Sequence, residues 1–326
     1  MHVDQVVNGV LSQLRANHVQ HRQTVDATRS QQVGEDVLQL HGVTGDGVTH
    51  GVPHILSERS ESGVDALVAR LRDEGVAAGR AEADEIPPDF RAVRDAFFAS
   101  QVLVFRAQEL SPSRFLSFAK QFGRPEPHVI DQFHHPEHAD ILILSNVQEG
   151  GEPTGLADAG TSFHTDYSYL DVPARATLLY SIQVPKKGGD TLFANQYAAH
   201  DDLSSGMKKR IENLVALHHY GNRDDLDKRS RTVASVLSED QERKMAWVRH
   251  PVVRRHPVTG RKALYAVSGS SFGIEGMPED EAIGLLDELK AHATQQKYQC
   301  RLQYGAGDVV IWDNASLLHS ATLTDP

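Results

Sequence analysis

The sequence predicts a mainly β protein with inserted helices, of the jelly-roll kind, and three observations carry that expectation. Short apolar stretches with strand character recur from residue 102 to the end. Turn residues such as Gly188-Gly189-Asp190 join them. Helical periodicities fall at irregular intervals, whereas a parallel sheet would place one after nearly every strand.

The elements follow in order. Residues 93–100 read as a helix and 102–106 (VLVFR) as a strand. Ser111-Pro112 caps a second helix whose apolar face is Phe115, Leu116, Ala119 and Phe122, and Gly123 closes it. Residues 141–144 form a short buried strand, and 176–184 alternate into another. The Gly-Gly-Asp turn leads into a strand at 191–194. Helices are expected at 197–203 and 207–218, and strands at 252–254, 262–267, 298–304 and 308–312, with a helix at 279–294. No internal repeat is present.

Composition narrows the function classes. The 326 residues are 40% hydrophobic and 24% charged, with a formal charge of −11. An acidic balance argues against nucleic acid and against anionic membrane surfaces, which would repel the chain. No apolar run approaches the roughly 20 residues of a membrane span, and the N-terminus lacks the basic flank and apolar stretch of a signal peptide. A single cysteine, Cys300, excludes an internal disulfide. These features point to a cytoplasmic protein and leave its activity open.

The chain divides unevenly. The first aromatic residue is Phe90 and the first lysine is Lys120. Aromatic side chains supply much of the buried area of a core, so residues 1–85 read as an atypical, loosely packed extension, with one helix expected at 63–74 (Val64, Leu67, Val68 and Leu71 on one face). Residues 86–326 read as the folded domain.

The candidate chemistry lies among the histidines. Two histidines and a carboxylate on one face of a metal, with the other face open, define the triad of non-haem Fe(II) oxygenases. The tripeptide His-x-Asp occurs four times, at His2/Asp4, His138/Asp140, His164/Asp166 and His200/Asp202, and 18 histidines make chance matches unsurprising. His2 lies in the aromatic-free extension. His200 falls in a predicted helix, where residues i and i+2 point far apart. His138 belongs to the loop FHHPEH, whose His134, His135 and His138 read as solvated. His164 and Asp166 sit in an extended aromatic segment, FHTDYSYLDVP, where i and i+2 share a face. Taken locally, that pair fits a metal or a structural role, and His319 fits a third ligand or a core histidine.

Four motifs in order then carry a resemblance: FHTDYSYLDVPARATLLY, GGDT, HPVVRRHPVTGRKALY and WDNASLLH. From about Pro87 to the last residue the chain resembles the taurine dioxygenase and 2,4-dichlorophenoxyacetate dioxygenase family of Fe(II)/2-oxoglutarate-dependent dioxygenases. The resemblance implies a double-stranded β-helix of the clavaminate-synthase-like type, with Fe(II) held by His164, Asp166 and His319. It implies 2-oxoglutarate and O2 as cosubstrates, and hydroxylation of a small anionic substrate with release of succinate and CO2. Thr191, the threonine of GGDT, resembles the residue that binds a carboxylate of 2-oxoglutarate; alone it would read as a β-branched residue opening a strand. His128 stands near the place of a substrate-contacting histidine, though an ordinary loop histidine fits as well. Tyr169 and Tyr167 line the pocket or serve as aromatic packing. Gly160 stands where the taurine enzyme has an asparagine, which argues against taurine itself. Family analogy also points to a homo-oligomer.

One departure is expected to matter. Family members carry, after the distal histidine, a further strand whose arginine pairs with the far carboxylate of 2-oxoglutarate, whereas Pro326 follows His319 by seven residues. Removing one partner of a buried charge pair costs roughly 2–5 kcal/mol. The expectation is a domain lacking its C-terminal strand, with a truncated, metal-binding but catalytically impaired family member as the alternative to an active dioxygenase. Arg175, Arg254, Arg255 and Arg261 have no spacing that aims them at the cosubstrate.

Overall fold

A computed structural model describes residues 36–40, 43–44, 80–83, 90–157, 160–221 and 237–323. The helix expected at 63–74 lies outside them, as does the His2/Asp4 pair.

Alternation within the strongest strands organises the fold. In Val102–Phe105, Ala176–Ser181 and Val309–Asp313 every residue is buried, so both faces are covered. One face, with Leu103, Phe105, Leu178, Tyr180, Val309 and Ile311, packs against Val93, Phe97, Phe115 and Phe122. Those four come from the helices Phe90–Ser100 and Pro112–Ala119 and the turn after the second. The Ser111 side chain accepts from the Arg114 N–H at that helix's start, as the sequence predicted. The opposite face, with Val102, Val104, Leu179, Val310 and Trp312, packs against Phe193, Leu302 and Leu317.

Those strands belong to a seven-stranded sheet ordered Arg80–Ala83, Val102–Phe105, Val309–Asp313, Ala176–Ser181, Asp36–Leu40, His138–Ser145, His134–His135. Two of its strands come from the first 85 residues, and Asp36–Leu40 pairs on both sides. Against it lies a three-stranded sheet with Thr191–Asn195 between Gln299–Leu302 and Leu317–Ala321. The outward residues Ala194 and Leu318 meet Leu285, Leu286 and Leu289 of the helix Glu279–Ala293. A further three-stranded sheet orders Val248–Pro251, Val215–His218, Ser271–Ile274.

The jelly-roll, double-stranded β-helix expectation is overturned. Among the described residues the sheets are open: the seven-stranded one ends at Arg80–Ala83 on one edge and His134–His135 on the other, and no pairing closes either sheet on itself. The architecture is mixed α/β, several open sheets with helices against them. Period-2 alternation reports which residues face a core, but closure depends on which edges pair, and that information is not local.

Smaller corrections have the same origin. The helix expected at 207–218 is a helix only over Ser205–Ile211 and then a strand, Val215–His218, held between two partners. His138 opens a strand rather than lying in a loop. The strand Leu317–Ala321, which carries His319, was not anticipated.

Candidate metal centre

The site is built where two chain stretches meet. Leu317–Ala321 pairs with Thr191–Asn195 so that His319 faces Phe193. Its side chain therefore shares the inner face with Leu317, while Leu318 points to the other core. His164 and His319 exchange backbone hydrogen bonds, each N–H donating to the other's carbonyl at 2.9 Å. This reciprocal pairing brings their rings to 4.1 Å between centroids. The Thr165 hydroxyl donates to the Leu317 carbonyl at 3.0 Å and pins the next residue. Tyr167 then takes a left-handed conformation at φ 56°, which bends the chain away just after Asp166.

His164 Nε2 lies 3.3 Å from Asp166 Oδ1, and His319 Nε2 lies 3.5 Å from Asp166 Oδ2. One ligand atom from each of the three lies within 4.8 Å of the others, and this is the one such cluster among the described residues. Asp166 and His319 are buried, and His164 is half-buried. His164 Nδ1 meets the Ser162 carbonyl at 2.8 Å. A carbonyl can only accept, so Nδ1 carries the proton and Nε2 turns its other valence toward Asp166. A lone pair aimed at a carboxylate oxygen is repulsive unless a proton or a cation sits between them. Two imidazoles and one carboxylate form the donor set suited to a divalent iron, so the residues fit that ion.

Two further contacts shape the centre. Gly160, at φ 80°, lies against the His164 ring: a Cβ there would stand 3.0 Å from Cε1. Thr177 donates its hydroxyl to Asp166 Oδ2 at 2.6 Å, and Asn314 Nδ2 donates to Thr177 Oγ1 at 2.9 Å. Below them His256 Nε2 approaches Asp313 Oδ2 to 3.1 Å, with both side chains buried. The geometry does not make a hydrogen bond, and His256 Nδ1 accepts from the Val258 and Thr259 N–H groups.

The other predicted residues fall into two groups. Thr191 Oγ1 and the Tyr304 hydroxyl lie 2.8 Å apart, buried, on the strand face that carries Phe193 and His319. His128 and Tyr169 join one aromatic cluster with Tyr167 and Tyr220. The His128 ring lies 6.0 Å from Tyr167 and 6.4 Å from Tyr220, and Tyr169 stacks on Tyr167 at 5.5 Å. The Tyr169 hydroxyl is buried with no hydrogen-bond partner. Burial first, then Tyr220, Asp166 and Glu126, push it well above the ordinary phenol range.

The decoys separate cleanly. His138 Nε2 meets Ser113 Oγ at 3.0 Å, and its ring stacks on His135. His200 sits in the helix Gln196–Asp201, and Asp202 is taken by Lys297 and Tyr298. The upstream arginines are engaged elsewhere: Arg175 with the Phe122 carbonyl, Arg254 over the Tyr265 ring, Arg255 with the Gly260 carbonyl and Arg261 with Asp201.

The model of the taurine catabolism dioxygenase TauD, TfdA family matches residues 66–326. The chain belongs to this family. It is 35% identical over 244 residues to an alpha-ketoglutarate-dependent 2,4-dichlorophenoxyacetate dioxygenase of Burkholderia sp. (strain RASC), covering 72% of this chain and 80% of that one. It is 32% identical over 233 residues to pentalenolactone F synthase of Streptomyces arenae, covering 69% and 78%. Among solved structures, AAD-2 in complex with Mn(II) and N-oxalylglycine superimposes with a TM-score of 0.59 at 26% identity, covering 76% of this chain and 88% of that one. A taurine dioxygenase from Burkholderia xenovorans superimposes at 0.58 and 28% identity, covering 74% and 80%.

For this TauD, TfdA family member, sequence reasoning missed Thr177, Tyr304 and the task of Asn314. Thr177 is one of six consecutive buried residues in its strand, and nothing local distinguishes it. Asn314 stood in a motif already singled out, WDN, and a buried asparagine just after a strand was the available signal. Among the described residues no helix is long and apolar enough to cross a membrane.

Proposed function

We propose that this chain is an Fe(II)- and 2-oxoglutarate-dependent dioxygenase that hydroxylates a small anionic organic substrate, with His164, Asp166 and His319 as the iron ligands. The observation that carries this reading is the convergence of two imidazole nitrogens and one carboxylate within 4.8 Å, on chain stretches locked together by reciprocal backbone hydrogen bonds. Iron with 2-oxoglutarate and O2 would supply the conversion of a substrate C–H bond to C–OH, with succinate and CO2 released.

The chain's own residues bind and orient. The Thr191 hydroxyl, paired with that of Tyr304, offers a buried donor to a carboxylate of 2-oxoglutarate on the face that carries His319. Tyr169 holds an unused buried hydroxyl beside Asp166, suited to a polar group of the substrate, and His128 closes the same aromatic wall. Such a wall excludes water and favours a flat or apolar body on the substrate. Relatives named for 2,4-dichlorophenoxyacetate and (S)-phenoxypropionate make aryloxy acids the first class to try.

The test is anaerobic addition of Fe(II) and 2-oxoglutarate, read as metal-to-ligand charge-transfer absorption, followed by O2 and assay of succinate with aryloxy, sulfonate and sulfate substrates. The wild type is expected to show the band and His164→Ala to lack it. A His164→Ala protein that kept the band would sink the ligand assignment. A wild type that makes no succinate with any of these substrates would sink the activity.

A further inference from the structure

We infer that Thr177, held by Asn314, is a positioning residue that fixes Asp166 as a single-oxygen metal ligand. The inference rests on the proposed ligation by Asp166 and goes beyond it, because it concerns how the carboxylate is aimed.

Three buried groups form a chain whose direction the chemistry dictates. Thr177 Oγ1 stands 2.6 Å from Asp166 Oδ2, and a carboxylate can only accept, so the threonine proton points at Asp166. The threonine oxygen is then the acceptor toward Asn314, 2.9 Å away, so the asparagine must present its Nδ2. Neither link can be reversed while Asp166 is ionised. Thr177 and Asn314 are both within 1% of full burial, and no solvent competes for these bonds.

The backbone makes the chain rigid. Thr177 lies opposite Trp312 in the paired strands Ala176–Ser181 and Val309–Asp313. The Asn314 N–H donates to the Arg175 carbonyl at 3.0 Å, which clamps the turn carrying its side chain. The hydroxyl is thus delivered by the seven-stranded sheet, whereas His319 comes from the three-stranded sheet and His164 from a segment bridged to it. The centre spans two layers, and Thr177 ties the carboxylate to one of them.

The consequence concerns the open face of the metal. Both oxygens face a ligand nitrogen, Oδ1 at 3.3 Å from His164 Nε2 and Oδ2 at 3.5 Å from His319 Nε2, but only Oδ2 carries the threonine proton. A carboxylate free to rotate could chelate a bound ion through both oxygens and so take a position that 2-oxoglutarate or O2 would need. A charge-assisted hydrogen bond on Oδ2 opposes that rotation. Asp166 would then supply one donor atom to the ion, alongside one from each histidine.

The test uses the full chain, Mn(II) as probe, and the variants Thr177→Ala, Thr177→Ser and Asn314→Asp. Mn(II) affinity is measured by calorimetry, and the number of waters on bound Mn(II) by water-proton relaxation; melting of the metal-free proteins reports folding. Thr177→Ala is expected to bind Mn(II) about 10- to 100-fold more weakly and to hold one water fewer. Thr177→Ser, which keeps the hydroxyl, should stay within about threefold of wild type. Asn314→Asp, which sets an acceptor against an acceptor, should follow the alanine variant. Wild-type affinity in Thr177→Ala, or an affinity in Thr177→Ser as low as that of the alanine variant, overturns the inference; an unchanged water count overturns its single-oxygen part. Should Thr177→Ala fail to fold, the isosteric Thr177→Val takes its place with the same expected outcome. Absence of Mn(II) binding by the wild type instead overturns the ligand assignment itself.

Discussion

Gly160→Ala probes how tightly His164 is held. Gly160 has φ 80°, and its carbonyl accepts from the Ala321 N–H at 2.7 Å, so its backbone cannot readily swing away. An added Cβ would lie 3.0 Å from His164 Cε1 and 3.7 Å from Nε2. Ordinary contact begins at 3.4 Å, so the ring must retreat by a few tenths of an ångström. Metal–ligand distances tolerate only about 0.2 Å, so this displacement is enough to spoil the centre. The left-handed conformation costs an L-residue a further 1–2 kcal/mol or so of stability. We expect Mn(II) affinity to fall on the order of tenfold or more, with metal-free stability lower by about 1–2 kcal/mol. Gly276→Ala is the control: at φ 73° with nothing within 4 Å, it carries the backbone strain without touching the site. Calorimetric Mn(II) titration and urea unfolding of both variants decide the matter. Equal Mn(II) affinities in the two would refute the claim that Gly160 sets the position of the His164 ring.

Other expectations follow from the same geometry. His319→Ala should abolish Mn(II) binding, while His138→Ala and His200→Ala, whose side chains lie in separate contacts, leave it intact; calorimetry distinguishes them. His218 is held neutral down to about pH 3, first by burial and then by His250. Below its ordinary 6.5 the unfolded chain takes a proton that the folded one refuses, so stability present above pH 6.5 is lost as pH falls toward about 3. This one group accounts for roughly 1.5 kcal/mol between pH 6.5 and 5, and His250, His135 and His200 are shifted in the same direction. Urea midpoints should therefore decline over that range and decline less in His218→Leu; a flat wild-type profile would contradict the burial argument. Tyr169→Phe removes a buried hydroxyl that has no partner, so melting should be unchanged or raised by up to about 1 kcal/mol. A clear loss of stability would mean that the hydroxyl is bonded in the free protein.

Much of the local structure was legible in the sequence. The helix capped by Ser111-Pro112, the strands at 102–106 and 176–184, and the long helix after Pro278 are written in periodicity and turn chemistry, which depend on near neighbours. The pair His164/Asp166 was also readable, because an extended segment places i and i+2 together and aromatic neighbours predict burial. His319 became a candidate only through the order of four motifs, since a lone histidine after a strand has no local mark of a ligand.

Tertiary structure decided what depends on pairing between distant residues. It replaced the expected barrel with open sheets, because alternation says which side chains face inward and is silent on which edges meet. It turned residues 215–218 from helix to strand, because two partners far along the chain compete with local propensity there. It set His319 beside His164 through a two-residue backbone bridge, and it delivered Thr177 and Asn314 to the buried side of Asp166. A metal centre of this kind requires three donors on separate parts of the chain to converge within a few ångströms. Residue types and spacing nominate such donors, and only the packing of two sheet layers brings them together.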